Sequence, residues 1–451
     1  MAVSDQPQRQ FLYITPYFPP QKRVGALRPL KFVRHLTAQG WQPIVLADLR
    51  PEDDVDRALL DACPSDIIVS RTYARDNGLS IPAPREDEPK PASPQRAQSA
   101  WRRRIATFDD YASRQRWYPG PEWLPLGRHS LDIPHALRAA RKLLQQYPSC
   151  EAIMVNADPY ASLIVGAYLS RDSGLPLISD LRDPWAPCEL RRPQRPALQR
   201  KLVDRMERYI IERSAKVILN TERTLSDYRA WYTDITPDRF TCIRNHADAE
   251  LIAQGNFPPA PDDVCRLLFL GNLRRFVEGD NLLEALALAM RRTGDHPRPF
   301  ELMISGKITP EARRKAEELG IAQHLVAHPF VPYTQVGSFM NSAHGLIALN
   351  NATVQRIPAK LYDYLTSDKP IVVIADNPEI ETMVAPYPGL TLLGLSDIAG
   401  LAQAMIDIRN AGAISIPREL GALSSESASE RLAKLLCEVC SPSNSMSQAI
   451  P

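Results

Sequence analysis

The sequence of 451 residues contains no run of about 18 consecutive apolar residues, the length that a membrane-spanning helix requires. Its beginning also lacks the basic stretch, apolar stretch and small-residue cleavage site of a secretory signal, so we expect a cytoplasmic protein. The seven cysteines are scattered and odd in number, which fits reduced thiols better than a disulfide framework. One CxxC pair, Cys437 and Cys440, has no second pair and no neighbouring histidine, so no metal site is predicted.

Two common phosphate-binding motifs are also absent. No GxGxxG follows the first apolar run, which argues against a dinucleotide site, and no GxxxxGK[ST] is present to form a P-loop. The formal net charge is only +2, so no bulk field favours nucleic acid as a partner. Hydrophobic residues make up 44% of the chain and charged residues 24%, which is typical of a globular protein of two or three domains at this length.

Short β-rich runs alternate with helical patterns along most of the chain. The first unit runs from a strand at Phe11–Thr15 through an apolar-spaced helix that ends at Gly40 to a strand at Pro43–Ala47. Such a βαβ unit requires a parallel sheet. Further strands are predicted at Asp66–Ser70, Ala152–Asn156, Pro176–Asp180 and Lys216–Asn220, and then at Arg266–Leu270, Phe300–Ile304, Leu325–Pro329, Leu346–Leu349 and Ile371–Ala375. The fold class is therefore α/β, with two doubly wound parallel-sheet domains that face each other across a cleft.

The domain boundaries are marked by composition. A cluster of Asn, Gly, Pro and Asp at Ala253–Cys265 separates a first domain, residues 1–255, from a second, residues 262–420. A helix at 421–440 is expected to pack back on the body of the protein, and 441–451 to form a disordered tail.

An insertion at about 80–128 interrupts the first domain. It starts with a proline- and charge-rich stretch at Ile81–Gln95, in a chain whose 41 prolines are about twice the usual share. The stretch Trp101–Pro125 then interleaves arginines with aromatic residues. It is either a surface that touches anionic lipid head groups or a phosphorylated lipid, or an amphipathic helix packed on the domain.

Glycines and cations follow several predicted strand ends, where ligands bind in doubly wound sheets. Gly25 stands just before a helix, where the backbone can approach a phosphate. The corresponding residues of the second half are Gly271, Arg274 and Arg275 after its first strand, and Ser305, Gly306 and Lys307 after its second. Each group is also compatible with a plain turn between a strand and a helix.

The segment Arg356–Ile374 contains a second candidate phosphate site. Pro358 suits the first position of a helix, and the N–H groups from Ala359 to Tyr362, that of Leu361 included, would then point toward the cleft. Lys360 adds a positive charge beside them. Asp363, one turn further on, is predicted to accept hydrogen bonds from a ribose diol; the alternative is a solvated helix residue.

On the acceptor side, "SDLRDPW" places Asp180, Arg182 and Asp183 at a strand end. Asp183 is predicted to orient an acceptor hydroxyl and Arg182 to bind a phosphate. The alternative is an internal pair between Arg182 and Asp183. Asn156 and Asp158, at the end of the preceding strand, are predicted to line the same cleft.

Five stretches in this order resemble the bacterial glycosyltransferases of family four. They are "LYITPYFPP" with "GALRPLKFVRHLTAQGW", "SDLRDPW", "ERYIIERSAKVILNTERTLSDY", "RLLFLGNL" and "IPAKLYDYLTSDKPIV". The resemblance covers roughly Phe11 to Cys437. It implies the GT-B fold, with an acceptor domain followed by a nucleotide-sugar domain, and transfer of a sugar with retention and without a metal. Many such enzymes build exopolysaccharides or cell-envelope glycans at the cytoplasmic face of the membrane.

The family motif of two glutamates separated by seven residues falls here on Gln355 and Asp363, and the usual Arg/Lys pair on Asn272 and near Glu278. Arg274, Arg275 and Lys360 are plausible replacements for that pair. The predicted catalytic residues are Asp183, Arg182, Lys360 and Gln355. The predicted donor-binding residues are Gly25, Gly271, Asn272, Arg274, Arg275, Ser305, Gly306, Lys307, Val331, Ala359, Leu361 and Asp363, and the predicted acceptor-binding residues are Asn156, Asp158 and Asp180.

The function expected from the resemblance is hexosyl transfer from a UDP- or GDP-sugar to a glycan or lipid-linked acceptor. No other cofactor is expected. Peripheral contact with an anionic membrane surface is a further possibility that the sequence leaves open. Two alternatives remain. A non-catalytic GT-B partner of a transferase is favoured by Gln355, Asn272 and Glu278. A sugar-nucleotide epimerase would need carboxylates and histidines about the cleft, and the chain has eight histidines in all.

Overall fold

The computed structural model describes residues 9–50, 53–72, 126–157, 159–273, 277–350 and 356–441. Two parallel β-sheets form the centres of two domains. The first sheet has seven strands in the order β3-β2-β1-β4-β5-β6-β7, and the second has six in the order β10-β9-β8-β11-β12-β13. Each order reverses direction between two neighbouring strands, β1 and β4 in the first sheet and β8 and β11 in the second. The prediction of two Rossmann-like domains is thereby confirmed.

The first sheet consists of Arg9–Ile14 (β1), Trp41–Asp48 (β2), Ile68–Thr72 (β3), Cys150–Ala157 (β4), Leu177–Leu181 (β5), Ser214–Leu219 (β6) and Phe240–Cys242 (β7). The second consists of Cys265–Leu270 (β8), Phe300–Ser305 (β9), Leu325–His328 (β10), Gly345–Leu349 (β11), Ile371–Ile374 (β12) and Leu390–Leu393 (β13). All of the strand pairings within these sheets are parallel.

The α-helices of the described residues are Leu27–Leu36 (α1), Arg57–Asp61 (α2), Ile133–Gln146 (α3), Ala161–Ser173 (α4), Ala197–Arg213 (α5), Glu222–Trp231 (α6), Val277–Thr293 (α7), Pro310–Glu318 (α8), Val336–Asn341 (α9), Ala359–Tyr364 (α10), Pro378–Val384 (α11), Ile398–Ala411 (α12) and Ser425–Val439 (α13). Short 3-10 turns are found at Val24–Ala26, Thr37–Gln39, Gly127–Asp132, Pro237–Arg239, Ala322–His324, Tyr333–Gln335 and Gly421–Leu423. None of the helices in these ranges is both long and apolar enough to cross a membrane.

Two strands were not predicted, and both lie at sheet edges. β7 has three residues and β13 has four, and β13 is only partly buried. A strand of this length shows little periodicity, and an edge position removes the continuous apolar run that marks a strand buried on both faces. The inner strands, such as Ala152–Val155 in β4, are almost fully buried. Their sequences are therefore continuous apolar runs, and these runs allowed the strands to be predicted.

The last helix, α13, returns from the second domain to the first. It packs on α1, and Leu432 and Leu436 on its inner face are completely buried. The same apolar cluster continues through Phe32 of α1 into Leu346 of the second sheet. One hydrophobic core therefore joins the two domains, with α1 and α13 at its centre.

We expect Leu432→Ala to lower the free energy of unfolding by about 2–5 kcal/mol, because it opens a cavity in this shared core. Chemical denaturation of the full chain measures the change. Lys434→Ala, two residues further along α13 and 74% exposed, should change stability by no more than about 0.5 kcal/mol. Equal effects of the two substitutions would show that α13 does not pack as described.

Candidate functional site

A buried ion pair holds the end of β5 against the first helix. The guanidinium of Arg28 donates from Nε and Nη2 to the two carboxylate oxygens of Asp180, at 2.9 and 3.0 Å. It also donates to the backbone oxygens of Ile243 and Arg244, in the segment that leads toward the second domain. Asn156 donates to Asp180 at 2.7 Å, and Asp180 is completely buried. The predicted acceptor residues Asn156 and Asp180 therefore lie beneath the cleft and position Arg28.

One turn further along α1, Lys31 connects the two domains. Its ammonium donates to Asp363 Oδ1 at 3.1 Å and to the backbone oxygen of His246 at 2.7 Å. The hydroxyl of Tyr333 donates to the same Asp363 oxygen at 2.7 Å. Burial and the Asp363 carboxylate raise the pKa of Tyr333, so its hydroxyl stays protonated and donates. Asp363 is therefore buried and paired. The alternative raised in the sequence analysis, a helix residue exposed to solvent, does not apply.

A small pocket opens between the domains above these pairs. Its lining combines charged and polar groups from both domains: Arg28, Lys31, Arg182, Asn245, His246, Tyr333 and Asp363. The Nε of Arg182 is buried and has no hydrogen-bond partner among the described residues. A buried guanidinium N–H without a partner is costly, so this pocket is suited to an anion.

Asp183 forms a second connection across the cleft. Its carboxylate lies 3.1 Å from the Nε of Arg356, and both side chains are about one-third exposed. The internal pair between Arg182 and Asp183 that the sequence left open is not formed, because Asp183 faces Arg356 of the other domain. This exposed pair contributes little to stability and can be displaced by a ligand.

His246 lies at the back of the pocket. Its Nδ1 is 2.9 Å from Ser425 Oγ, and its ring packs on Phe32. Burial, together with the charges of Arg28 and Lys31, lowers the pKa of His246 well below its usual value. The imidazole is therefore neutral and does not act as a proton donor at neutral pH.

The strand ends of the second sheet form a turn in which two glycines lie back to back. Gly271 and Gly306 have φ values of 136° and 155°, and a Cβ on Gly306 would overlap the carbonyl of Gly271. The Asn272 side chain accepts the N–H of Lys307 at 2.9 Å, and the Gly271 N–H donates to Ser305 at 3.0 Å. The described residues among those predicted after β8 and β9, Gly271, Asn272, Ser305, Gly306 and Lys307, are thus in one cluster, and Gly306 is too close to the backbone of Gly271 to carry a side chain.

Lys360 lies directly over this glycine turn. Its ammonium donates to the Leu270 oxygen at 2.7 Å and would be 3.0 Å from a Cβ on Gly271. It also lies 4.4 Å from the ring centre of Phe269. Burial lowers the pKa of Lys360 to about 8, so the side chain carries a charge at neutral pH and loses it in mildly alkaline solution.

Other predicted donor residues lie in less accessible places. The side chains of Leu361 and Val331 are in the hydrophobic core, and the N–H of Leu361 already donates to the oxygen of Pro358 at 3.0 Å. Leu361 and Val331 therefore do not present side chains to the cleft. Free N–H groups at the start of α10 can be expected only before Leu361. Gly25 is buried beside Tyr17 and Arg182 in the first domain, where a Cβ would overlap the Tyr17 ring.

A carboxylate of the second domain caps a helix of the first. Glu379 accepts the N–H groups of Glu222 and Arg223 at the start of α6, at 2.8 and 2.9 Å, and pairs with Arg244. The sequence analysis did not identify Glu379, Arg244, Arg28 or Lys31. For Arg28 and Lys31 the available signal was two cations three residues apart among the apolar residues of the helix after Gly25.

A larger cavity, of about 560 Å³ and open to solvent, lies at the carboxyl ends of β1, β2 and β3. Aliphatic side chains form most of its wall: Ile14, Leu46, Ile133, Ala136 and Val165. The polar rim includes Asp48 and Asp132, which both pair with Arg50. Tyr17 lines this cavity and also abuts Gly25 at the cleft, so it separates the two spaces.

Several predicted residues lie outside the described ranges: Asp158, Arg274, Arg275 and Gln355, the stretch Trp101–Pro125 and most of the insertion at 80–128, and nearly all of the tail at 441–451. The side chain of Glu278 is not described either. Among the residues that are described, no group of three His, Cys, Asp or Glu side chains could hold a metal ion.

We expect Asp180→Asn to destabilise the protein by about 3–5 kcal/mol, because it leaves the buried Arg28 without its counter-charge. Asp183→Asn, three residues away, removes the same charge from a partly exposed pair and should cost at most about 1 kcal/mol. Denaturation of both variants checks the difference. Similar losses for both would contradict the assignment of Asp180 to a buried structural pair.

The sequence matches no protein-family model and no curated protein. Solved structures with the same architecture exist. Sucrose-phosphate synthase from Thermosynechococcus elongatus aligns with a TM-score of 0.54 at 14% identity, over 96% of this chain and 96% of that chain. The N-terminal domain of trehalose-6-phosphate phosphatase from Candida albicans aligns with a TM-score of 0.56 at 10% identity, over 97% and 98% of the two chains.

A third structure, HepE from Anabaena in complex with UDP, aligns with a TM-score of 0.52 at 12% identity, over 96% and 97% of the two chains. Because the identities are this low, the similarity bears on fold alone. The two facing Rossmann-like domains are those of the GT-B architecture, as the sequence resemblance implied.

Proposed function

We propose that the protein is a glycosyltransferase that moves a hexosyl group from a nucleotide sugar to a glycan or lipid-linked acceptor. The observation that carries the proposal is the glycine turn at Gly271 and Gly306 with the Lys360 ammonium above it. It lies at the carboxyl ends of β8 and β9, next to the switch point between β8 and β11, and doubly wound sheets bind phosphates and nucleotides at such switch points. A backbone without side chains and a fixed cation suit a diphosphate.

The donor would lie between this turn and the cations of the first domain. Lys360 on one side and Arg182 on the other place positive charge where the leaving nucleoside diphosphate becomes more negative as the glycosidic bond breaks. Because these groups are already held by Leu270 and the cleft walls, they need little reorganisation during the reaction. The buried, unpartnered Nε of Arg182 supports this role.

Asp363 is placed to bind a ligand hydroxyl. Lys31 and Tyr333 both donate to its Oδ1, and Oδ2 has no hydrogen-bond partner among the described residues. Asp363 lines the cleft pocket, so Oδ2 can accept from a ribose hydroxyl while Oδ1 keeps its connection to the first domain. This geometry supports the nucleoside-binding role predicted from the sequence.

For the transfer step we propose retention. The bond from the anomeric carbon to the diphosphate oxygen breaks, the acceptor oxygen bonds to the same face of that carbon, and its proton passes to the departing phosphate. Asp183 and Arg356, which meet at the mouth of the cleft, would separate to admit the acceptor. The aliphatic cavity behind Tyr17 would hold the part of the acceptor that does not react.

The proposal predicts that UDP or GDP raises the melting temperature of the purified protein, whereas ADP has a smaller effect. Asp363→Asn should weaken binding of the preferred nucleotide by about tenfold to 150-fold, because a charge-assisted hydrogen bond is worth about 1.5–3 kcal/mol. A thermal unfolding scan measures the melting temperature, and titration calorimetry measures the affinity. Tyr333→Phe, which leaves the carboxylate in place, is the matched control and should bind almost as wild type does.

The same nucleotide-sugar panel separates the alternatives. A transferase releases nucleoside diphosphate slowly to water and faster with an acceptor extract. An epimerase would change the sugar without releasing nucleotide, and a non-catalytic partner would do neither. Absence of binding to every nucleotide tested would exclude the proposed function.

A second prediction concerns pH. Since the pKa of Lys360 is lowered to about 8, the ammonium is charged below that pH and neutral above it. Nucleotide diphosphate affinity should therefore be constant up to about pH 7.5 and fall as the pH rises through 8 to 9. Lys360→Met should bind more weakly and show no such fall, and Lys360→Arg should remain flat to higher pH. If the fall persisted in Lys360→Met, another group would be responsible.

A further inference from the structure

The outer face of helix α5 carries leucines and cations in one stripe. Leu198, Lys201, Leu202 and Arg205 are spaced by three and four residues, so they lie on the same side of the helix. Leu198 is 59% exposed and Leu202 42%. The opposite side, with Val203 and Ile210, is buried in the core of the first domain. Two solvent-exposed leucines at this spacing form an apolar ridge that no described part of the chain covers.

The surroundings of this ridge are strongly basic. Six basic and two acidic residues lie between Glu189 and Arg205, an excess of four positive charges, although the whole chain has a net charge of only +2. Of the two acids, Asp204 pairs with Arg192. Among the described residues, no acidic side chain forms an ion pair with Arg200, Lys201 or Arg205.

Two further apolar side chains of the first domain are exposed in neighbouring parts of the chain. Leu190, in the loop before α5, is 43% exposed, and Trp231, at the end of α6, is 42% exposed. The guanidinium of Arg192 lies 4.4 Å from the Trp231 ring centre, and Arg200 and Arg223 line the open groove beside it. Aromatic and aliphatic side chains surrounded by arginines are typical of surfaces that lie in the head-group region of a bilayer.

We propose that the face of α5 formed by Leu198, Lys201, Leu202 and Arg205 docks on an anionic lipid membrane. The charge pattern favours this occupant over a second copy of the chain, because a two-fold contact of this face would bring its unpaired cations together. An anionic bilayer neutralises all of the cations at once and accepts the leucines between its head groups.

The surface is connected to the cleft by a short stretch of chain. Leu190, in the loop just before α5, is seven positions after Asp183, so the two lie at most about 25 Å apart. A protein docked on this surface would hold its cleft close to the bilayer, within reach of a lipid-linked molecule. The docking itself does not depend on the proposed transfer reaction.

The test is flotation of the full-length chain with vesicles of phosphatidylcholine, with and without phosphatidylglycerol. Wild type should float only with the anionic vesicles and should be released at about 0.5 M salt. Lys201→Gln/Arg205→Gln should weaken binding by about 30-fold, at about fivefold for each cation. Leu198→Gln/Leu202→Gln should weaken it by about tenfold or more without changing the net charge.

The matched control is Arg313→Gln/Arg314→Gln on α8 of the second domain, which removes two exposed charges and should float as wild type does. Nucleotide affinity and melting temperature of every variant confirm that the fold is intact. A second comparison is Arg102→Gln/Arg103→Gln/Arg104→Gln, in the stretch that the sequence analysis associated with lipid.

The proposal is overturned if wild type does not bind anionic vesicles, or if neither α5 variant weakens binding; loss of binding in the Arg102–Arg104 variant would then assign the contact to that stretch. It is also overturned if mass photometry shows a dimer that Leu198→Gln/Leu202→Gln converts to monomer, because the ridge would then be a self-contact. Failure of nucleotide binding in wild type would reject the proposed function and leave the flotation result unaffected.

Discussion

Two buried cations on α1 hold the molecule together. Arg28 fixes the end of β5 and the chain that leaves the first sheet, and Lys31 reaches Asp363 in the second domain. Burial of these charges costs desolvation energy that is offset only when every partner is in place. Arg28 thus fixes the first domain beneath the cleft, and Lys31, with its partners His246 and Asp363, connects the two domains.

This constraint also defines the electrostatics of the cleft. Lys31 and Tyr333 occupy one oxygen of Asp363 and leave the other toward the pocket, while burial, together with the charges of Arg28 and Lys31, lowers the pKa of His246 and keeps it neutral. The site is therefore a set of fixed dipoles and cations with no histidine able to donate a proton. Such an arrangement is suited to stabilising a departing anion. The remaining link across the mouth, between Asp183 and Arg356, is exposed and weak enough to open.

The positions of the charged residues say more about the ligands of this protein than its net charge does. The chain is nearly neutral, yet three cations, Arg28, Lys31 and Arg182, line the cleft pocket and two more, Lys201 and Arg205, lie on the outer face of α5. In the cleft Arg28 and Lys31 are buried and paired with carboxylates, whereas on α5 the cations lie beside exposed leucines. Lys and Arg side chains are thus suited to bind a small anion in the cleft, where they are buried, and an extended anionic surface at α5, where they are exposed.

The order of strands and helices was readable from the sequence because each βαβ unit is a local pattern, in which apolar runs and helical spacing recur within about 40 residues. Gly271, Gly306 and Lys360 were likewise identified as candidates, because each follows or begins an element whose type was clear. Their assembly into one turn beneath an ammonium was not visible in the sequence.

What only the tertiary structure decided are the long-range pairs. Arg28 and Asp180 are 152 residues apart and Lys31 and Asp363 are 332 apart, so no local pattern relates them. For the same reason Asp180 was assigned to the surface of the cleft although it lies beneath it, and Leu361 was assigned to a ligand although it packs in the core. A sequence shows which residues can carry charge, but the packing of distant segments decides which charges are buried and which remain available to a ligand.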